Sequence, residues 1–322
     1  MLRRTLLAAP ALLAPSLHAR AQEAWPSKPV RMIVPFPPGQ AADLFARIIA
    51  EQLSARWPQR VFVENRAGGA GAIGMEAGAR AAPDGYTLTI GTSGTLGINP
   101  SVMARLPYDP IADFAPVSNI FLVPLLLVCH PGQNWQTPAD VVAAAKANPG
   151  GIPYASAGPG TAQHLTAEMF ATATGIRLQH VPYRGSGPAM ADLLAGNVPL
   201  MMDSLAAALG QVKGGRARAL AITSAQRSKL LPDVPTVAET VAPGFAAAGW
   251  SGVVAPAATP PALVARLSTE IQAVLNDPAV RARIEEQGGI PDPGSPEEYA
   301  AFIRAEIAKW KRVADAAGVR LE

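Results

Sequence analysis

The run Val30-Arg31-Met32-Ile33-Val34-Pro35-Phe36 passes directly into Pro37-Pro38-Gly39-Gln40-Ala41-Ala42-Asp43 and then into an amphipathic segment. An apolar strand, a Pro/Gly turn and a switch to helical periodicity make this a βα unit. The prolines stiffen the exit from the strand, and Gly39 lets the backbone turn tightly. The small side chains that follow leave the N–H groups of the helix start uncovered. Such a helix start carries unpaired donors and a partial positive charge, so it attracts an anion beyond the strand's end. A second stretch repeats the design: Ile152-Pro153-Tyr154-Ala155-Ser156-Ala157 runs into Gly158-Pro159-Gly160-Thr161 and another helix. Two such ends facing one another would grip a small carboxylate. For the first turn taken alone, the alternative is an ordinary βα loop in which Asp43 stabilises the helix dipole.

Outward from these loops, strands and helices alternate from Val30 to about Ser224, which implies an α/β fold of parallel βαβ units. Strands are expected at Val30–Val34, Val61–Glu64 and Tyr86–Thr92, with a helix over Asp43–Trp57. The apolar run Phe121–Val128 is long enough to leave one domain and enter a second. There, strands at 152–157, 178–183, 198–203 and 217–223 alternate with helices. Ala248–Val254 is the expected return strand. Near the end, Thr259 is expected to cap a helix opening with Pro260-Pro261. Ser295-Pro296-Glu297-Glu298 reads as a capping box with proline at the first helical position. The expected organisation is two lobes, each a mostly parallel sheet flanked by helices: 24–124 plus 251–322, and an inserted 125–250. Two hinge strands would join them around a cleft.

The first residues read as an export signal. Arg3 and Arg4 precede the apolar Thr5-Leu6-Leu7-Ala8-Ala9-Pro10-Ala11-Leu12-Leu13-Ala14, and Ala19-Arg20-Ala21 is an A-x-A cleavage site, so residues 1–21 fit a secretory signal peptide. The expected location is the periplasm, with general secretion fitting better than the twin-arginine route. Removing that segment takes three arginines and no acid, so 27 Lys+Arg fall to 24 against 24 Asp+Glu. A near-neutral chain gives no charge argument for nucleic acid or an anionic membrane. The single cysteine, Cys129, lies in an apolar strand and reads as a small buried hydrophobe.

Other motifs carry less. Gly69-Ala70-Gly71-Ala72-Ile73-Gly74 matches G-x-G-x-x-G, but Glu64-Asn65-Arg66-Ala67 separate it from its strand. The next strand ends in Gly91-Thr92-Ser93 without the acid a dinucleotide site needs. No G-x-S-x-G elbow exists, and His130, His164 and His180 lack metal-ligand spacing. His164 reads as a packing or loop-bracing residue, with direct ligand contact as the alternative. The turn Val181-Pro182-Tyr183-Arg184-Gly185-Ser186-Gly187-Pro188 offers a polar aromatic, a cation and a hydroxyl, and Arg184 reads equally as a bidentate partner for a carboxylate or as a solvated rim charge. Asp203, ending its strand, reads either as a ligand acceptor or as a helix cap. A secreted α/β hydrolase with an interlobe active site is the competing reading, as is a ligand-sensing partner of a signalling membrane protein.

Together these blocks resemble the extracytoplasmic solute-binding receptors of tripartite tricarboxylate transporters, the Bug family. The resemblance rests on Trp25-Pro26-Ser27-Lys28-Pro29-Val30-Arg31, Val34 to Gly39, Val63-Glu64-Asn65-Arg66 and Ala82-Pro83-Asp84-Gly85-Tyr86-Thr87-Leu88. It continues through Leu106-Pro107-Tyr108-Asp109-Pro110, Tyr154-Ala155-Ser156-Ala157-Gly158, His180-Val181-Pro182-Tyr183 and Leu231-Pro232-Asp233-Val234-Pro235-Thr236. It implies a type II periplasmic binding protein without enzymatic activity, cofactor or metal. Such a receptor is expected to be a monomer that delivers a small organic carboxylate to integral-membrane permease subunits. Carried over, ligand contacts are expected at Phe36, Pro37, Pro38, Gly39, Gln40, Ala41, Ala42 and Asp43. Others are expected at Ser93, Ser156, Gly158, Gly160, Thr161, Tyr183, Arg184, Gly185, Ser186 and Asp203. Many relatives read G-G-(A/S)-T-D in the first turn; here Gln40 replaces the second glycine.

Overall fold

The computed structural model describes residues 25–321. The export signal expected over residues 1–21 lies outside them. In chain order come β1 (Val30–Val34), α1 (Ala41–Arg56), β2 (Val61–Asn65), a single 3₁₀ turn at Gly69–Gly71, α2 (Ala72–Ala79) and β3 (Thr87–Thr92). A π-helical turn (Ser93–Ile98) leads into α3 (Asn99–Val102), and then comes β4 (Phe114–Cys129). The second set is α4 (Pro138–Ala147), β5 (Pro153–Ser156), α5 (Ala162–Thr174), β6 (Gln179–Pro182), α6 (Ser186–Leu194) and β7 (Leu200–Ser204). It continues with α7 (Leu205–Lys213), β8 (Arg218–Ile222) and α8 (Val237–Thr240). The chain returns through β9 (Ala248–Pro256) to α9 (Pro261–Leu275), α10 (Pro278–Glu286), β10 (Ile290–Pro291) and α11 (Pro296–Ala317).

The strands run in the order β2-β1-β3-β9-β4-β7-β5-β6. Parallel pairing holds within the βαβ units, β2-β1-β3 and β7-β5-β6. The two long strands add antiparallel pairing that the sequence reading did not include. β9 runs antiparallel to β3 and β4, and β4 runs antiparallel to β7 and β8, so both sheets are mixed. The cause is the return path, since a strand that re-enters a lobe without a crossover helix runs against its neighbour.

β4 is one strand with two addresses. Residues 114–124 pair with β9, and residues 125–129 pair with β7 and β8. Thr223 clasps both crossing points: its Oγ1 accepts from the Leu125 N–H (2.9 Å) and donates to the Ala247 carbonyl (2.8 Å). Its own backbone N–H and carbonyl bond to Leu125 and Ala247 as well.

Helix faces follow their periodicity. α1 buries Phe45, Ile48, Ile49 and Leu53, and Phe45 packs on Phe121 of β4 at 4.3 Å between ring centres. α11 opens with the expected Ser295/Glu298 capping box and buries Tyr299, Ile303 and Trp310. The expected Thr259 cap is corrected. α9 begins one residue later, Pro260 occupies the cap position, and the buried Thr259 hydroxyl has no partner. Among the described residues no helix is long and apolar enough to cross a membrane.

Candidate functional site

Strands β1, β3, β5 and β7 all end at the same place, and each hands over to a helical turn there. The first residues of those turns, Gln40–Ala42, Ser93–Gly94, Thr161–Gln163 and Ser204, line one chamber of about 50 Å³. Its floor comes from the crossing strands, through Phe121, Val123 and Leu125 of β4 and Gly249, Trp250 and Ser251 of β9. Among the described residues no Lys, Arg, His, Asp or Glu lines it.

Local capping explains why these helix starts face inward with free donors. The Thr92, Thr161 and Ser204 side chains each accept one N–H of their own turn, from Thr95, His164 and Ala207. α1 lacks such a cap. Its Gln40 has extended backbone and makes no side-chain cap bond. Instead Asp43 reaches back to accept the Gly39 N–H at 3.0 Å. The N–H groups of Ala41, Ala42, Ala162 and Gln163 stand in the first turns, where no intrahelical acceptor exists.

A second, outer chamber of about 480 Å³ is lined by Gly68–Gly71, Ala157–Pro159 and Tyr183–Gly185, with Pro37 and Ala67. Among the described residues, its one charged lining side chain is Arg184. Phe36, Gln40 and Thr161 line both chambers and form the collar between them. Gln40 is 7% exposed, and its Nε2 has no hydrogen-bond partner. The G-x-G-x-x-G stretch thus supplies a wall of the outer chamber.

A family model described as the tripartite tricarboxylate transporter family receptor matches residues 45–319. The chain belongs to this receptor family. Its relatives include BugT of Bordetella pertussis, 39% identical over 93% of this chain and 92% of BugT. A Pseudomonas sp. (strain P51) protein from the tcbD-tcbE intergenic region is 40% identical over 97% of this chain and 93% of its own length. Among solved structures, the periplasmic binding protein BugD superposes with a TM-score of 0.87 at 34% identity, covering 92% of this chain and all of BugD. An R. palustris protein with adipate gives 0.89 at 38% identity over 92% and 99% of the two chains. MatC from Rhodopseudomonas palustris with bound malate gives 0.84 at 30% identity over 90% and 99%.

Within this receptor, the residues expected from sequence fall into three groups. Phe36, Gln40, Ala41, Ala42, Ser93 and Thr161 line the inner chamber. Pro37, Gly158, Tyr183, Arg184 and Gly185 line the outer one. The rest line neither chamber. Pro38 is exposed, and Gly39 lines a separate cavity of about 280 Å³ together with Ser186 and Asp203. Asp43 is buried and takes bonds from Arg47, Asn65 and Gly39. Burial works to raise its pKa, but these hydrogen bonds and the Arg47 charge outweigh it and hold the carboxyl below the usual range.

The Ser156 hydroxyl lies 2.7 Å from His180 Nε2 and accepts the Gly158 N–H. His164 braces the loop, as expected, by accepting the Gly160 N–H at Nδ1. It stacks on His180 with 4.0 Å between ring centres. Burial pushes both imidazoles down, His164 to about 3 and His180 to about 4, with the His180 charge adding to the effect at His164. Asp203 is fully buried; its Oδ1 accepts from Ser186 (2.8 Å), the Ser204 N–H (2.8 Å) and Gln163 (3.3 Å). Burial lifts its pKa to about 6 against those bonds. The cap of α7 is Ser204, so the alternative role of Asp203 as a helix cap passes to its neighbour.

Sequence reasoning missed Thr92, Gly94, Gln163, Ser204, Trp250 and Ser251 as chamber walls. Thr92 and Ser204 had a signal, since each is a hydroxyl residue at a strand-to-helix junction. Trp250 and Phe121 had none, because an apolar side chain at a strand position reads as core.

Proposed function

We propose that this protein is a periplasmic receptor that closes its lobes, 24–124 plus 251–322 and 125–250, around one small organic carboxylate. It hands that guest to the membrane permease of a tripartite transporter and works as a monomer without catalysing a reaction. The observation that carries the reading is the inner chamber itself. Four helical turns, two from each set of strands, converge on a space where none of the described residues in the walls is charged. Backbone N–H dipoles are then the donors left to meet a carboxylate, and within low-dielectric walls they are strong ones. Adipate and malate in the two R. palustris structures support the ligand class.

Asp43, Ser156, Gly160, Ser186 and Asp203 act in this reading as braces that hold the loops, while Gln40, Ala41, Ala42, Ser93 and Thr161 meet the guest. The test is a thermal-shift and calorimetric screen over mono-, di- and tricarboxylates, with product analysis of every stabilising acid. A ligand at a hundredfold excess over Kd is expected to stabilise the fold by about 2.7 kcal/mol. Silence across the panel would sink the receptor reading, and turnover of a stabilising acid would favour an enzyme.

A further inference from the structure

We infer that Gln40 is a specificity-determining residue: its Nε2 group donates to a second carboxylate of the guest at the collar between the chambers. The site thereby selects a linear α,ω-dicarboxylate over the monocarboxylate of equal length. This rests on the carboxylate-receptor reading above and adds to it a named donor and a selection rule.

Three observations meet at this side chain. Gln40 is 7% exposed, yet its Nε2 finds no acceptor among the described residues, so a donor is held out of water and unpaired. A buried donor left without an acceptor calls for an explanation, and a guest at this site supplies one. The residue also lines both chambers, so the amide lies where a guest seated on the inner helix turns would extend outward. Across the cleft stands Gly185, with φ of +113°; a Cβ there would come within 3.1 Å of Gln40 Nε2 and 3.4 Å of Pro37 Cγ. Gly185 thus lays bare backbone close over the amide, and any side chain there would crowd it. Among the described residues, Arg184 beside it is the one charged residue lining the outer chamber. A neutral donor and a cation bordering the same space suit an anionic end group, whereas a terminal methyl would leave the amide buried and unpaired.

The experiment is calorimetry on the whole receptor with α,ω-diacids of four to eight carbons and the matched linear monoacids, on wild type, Gln40→Leu and Gln40→Glu. Gln40→Leu is expected to weaken the best diacid about 10- to 100-fold, the range for a hydrogen bond to a charged group. The matched monoacid loses less than the diacid, so the diacid preference collapses. Gln40→Glu sets a carboxylate against the guest's and weakens the diacid further. The unliganded melting temperature of Gln40→Leu stays at the wild-type value, because the amide has no protein partner to lose. A diacid-to-monoacid ratio that survives Gln40→Leu overturns the inference, whether both affinities fall or neither does. Wild type binding monoacids as tightly as diacids also overturns it and leaves the receptor reading standing. Wild type binding no acid at all overturns both.

Discussion

Single residues already differ in how tightly their loops are packed. Gly158 (φ +128°) faces the Tyr183 carbonyl, and a Cβ would come within 2.9 Å of that oxygen, whereas Gly39 (φ +88°) has open space around it. Gly39→Ala therefore costs only backbone strain, about 1–2 kcal/mol. Gly158→Ala adds a clash with immovable backbone and is expected to cost about 2–4 kcal/mol. Urea unfolding of the two variants measures the gap, and equal costs would contradict the crowding argument. Asp203 makes a pH-dependent prediction. With a folded pKa of about 6, against 3.8 for the free side chain, it favours the fold below that lower value and loses the contribution as pH rises through 6. Asp203→Asn keeps an acceptor for Ser186 and removes the charge. Relative to wild type the variant should gain stability between pH 4 and pH 7, by an amount on the order of 3 kcal/mol. His164 and His180, with pKa values pushed below the ordinary imidazole value, act in the opposite sense, favouring the fold above that value and losing stability as pH falls. Only the difference between variant and wild type isolates Asp203. A flat difference across that range would remove the buried, charged carboxylate from the account.

At the scale of elements, α11 carries more than its apolar stripe announces. Glu306 Oε2 accepts from both Trp250 Nε1 (2.7 Å) and Trp310 Nε1 (2.8 Å), tying the chamber floor to the C-terminal helix. Glu306→Leu strands two buried indole donors and is expected to cost about 2–5 kcal/mol, measured by chemical denaturation. Carboxylate affinity should drop in the same variant, because Trp250 lines the chamber. What could be read from sequence follows the physics of each element. The two strand–turn–helix loops were legible because proline and glycine mark such turns and helical periodicity resumes at once. The turn Ser93–Ile98 was not, since Ser93-Gly94-Thr95-Leu96-Gly97-Ile98 has neither helical spacing nor good helix formers; its Thr92/Thr95 capping box holds it instead. β4 was read from Phe121, but it begins at Phe114, because Pro116 hides its first half from a strand pattern. The collar role of Gln40 was legible only as a departure, a long amide standing where many relatives have glycine.

At the scale of the whole molecule, the lobes meet along a tight seam. A Cβ on Gly94 would lie 3.2 Å from the Gly160 carbonyl oxygen across the cleft, with no φ penalty at Gly94 itself. Gly94→Ala should therefore leave the unliganded fold intact but keep the lobes from shutting fully. A several-fold loss of carboxylate affinity and a smaller ligand-induced compaction are the expected results, read by calorimetry and small-angle scattering. Unchanged affinity and compaction would mean that this seam does not gate the site.

The position of the chamber floor has a further consequence. Phe121, Val123, Leu125, Gly249, Trp250 and Ser251 belong to the very strands about which the proposed closure would turn. Displacement grows with distance from an axle, so in that closure these residues would travel less than Arg184 at the outer chamber. An incoming acid should find its seat already assembled in the gaping form and acquire its outer partners only afterwards. Capture speed would then depend on the seat, and dwell time on the rim.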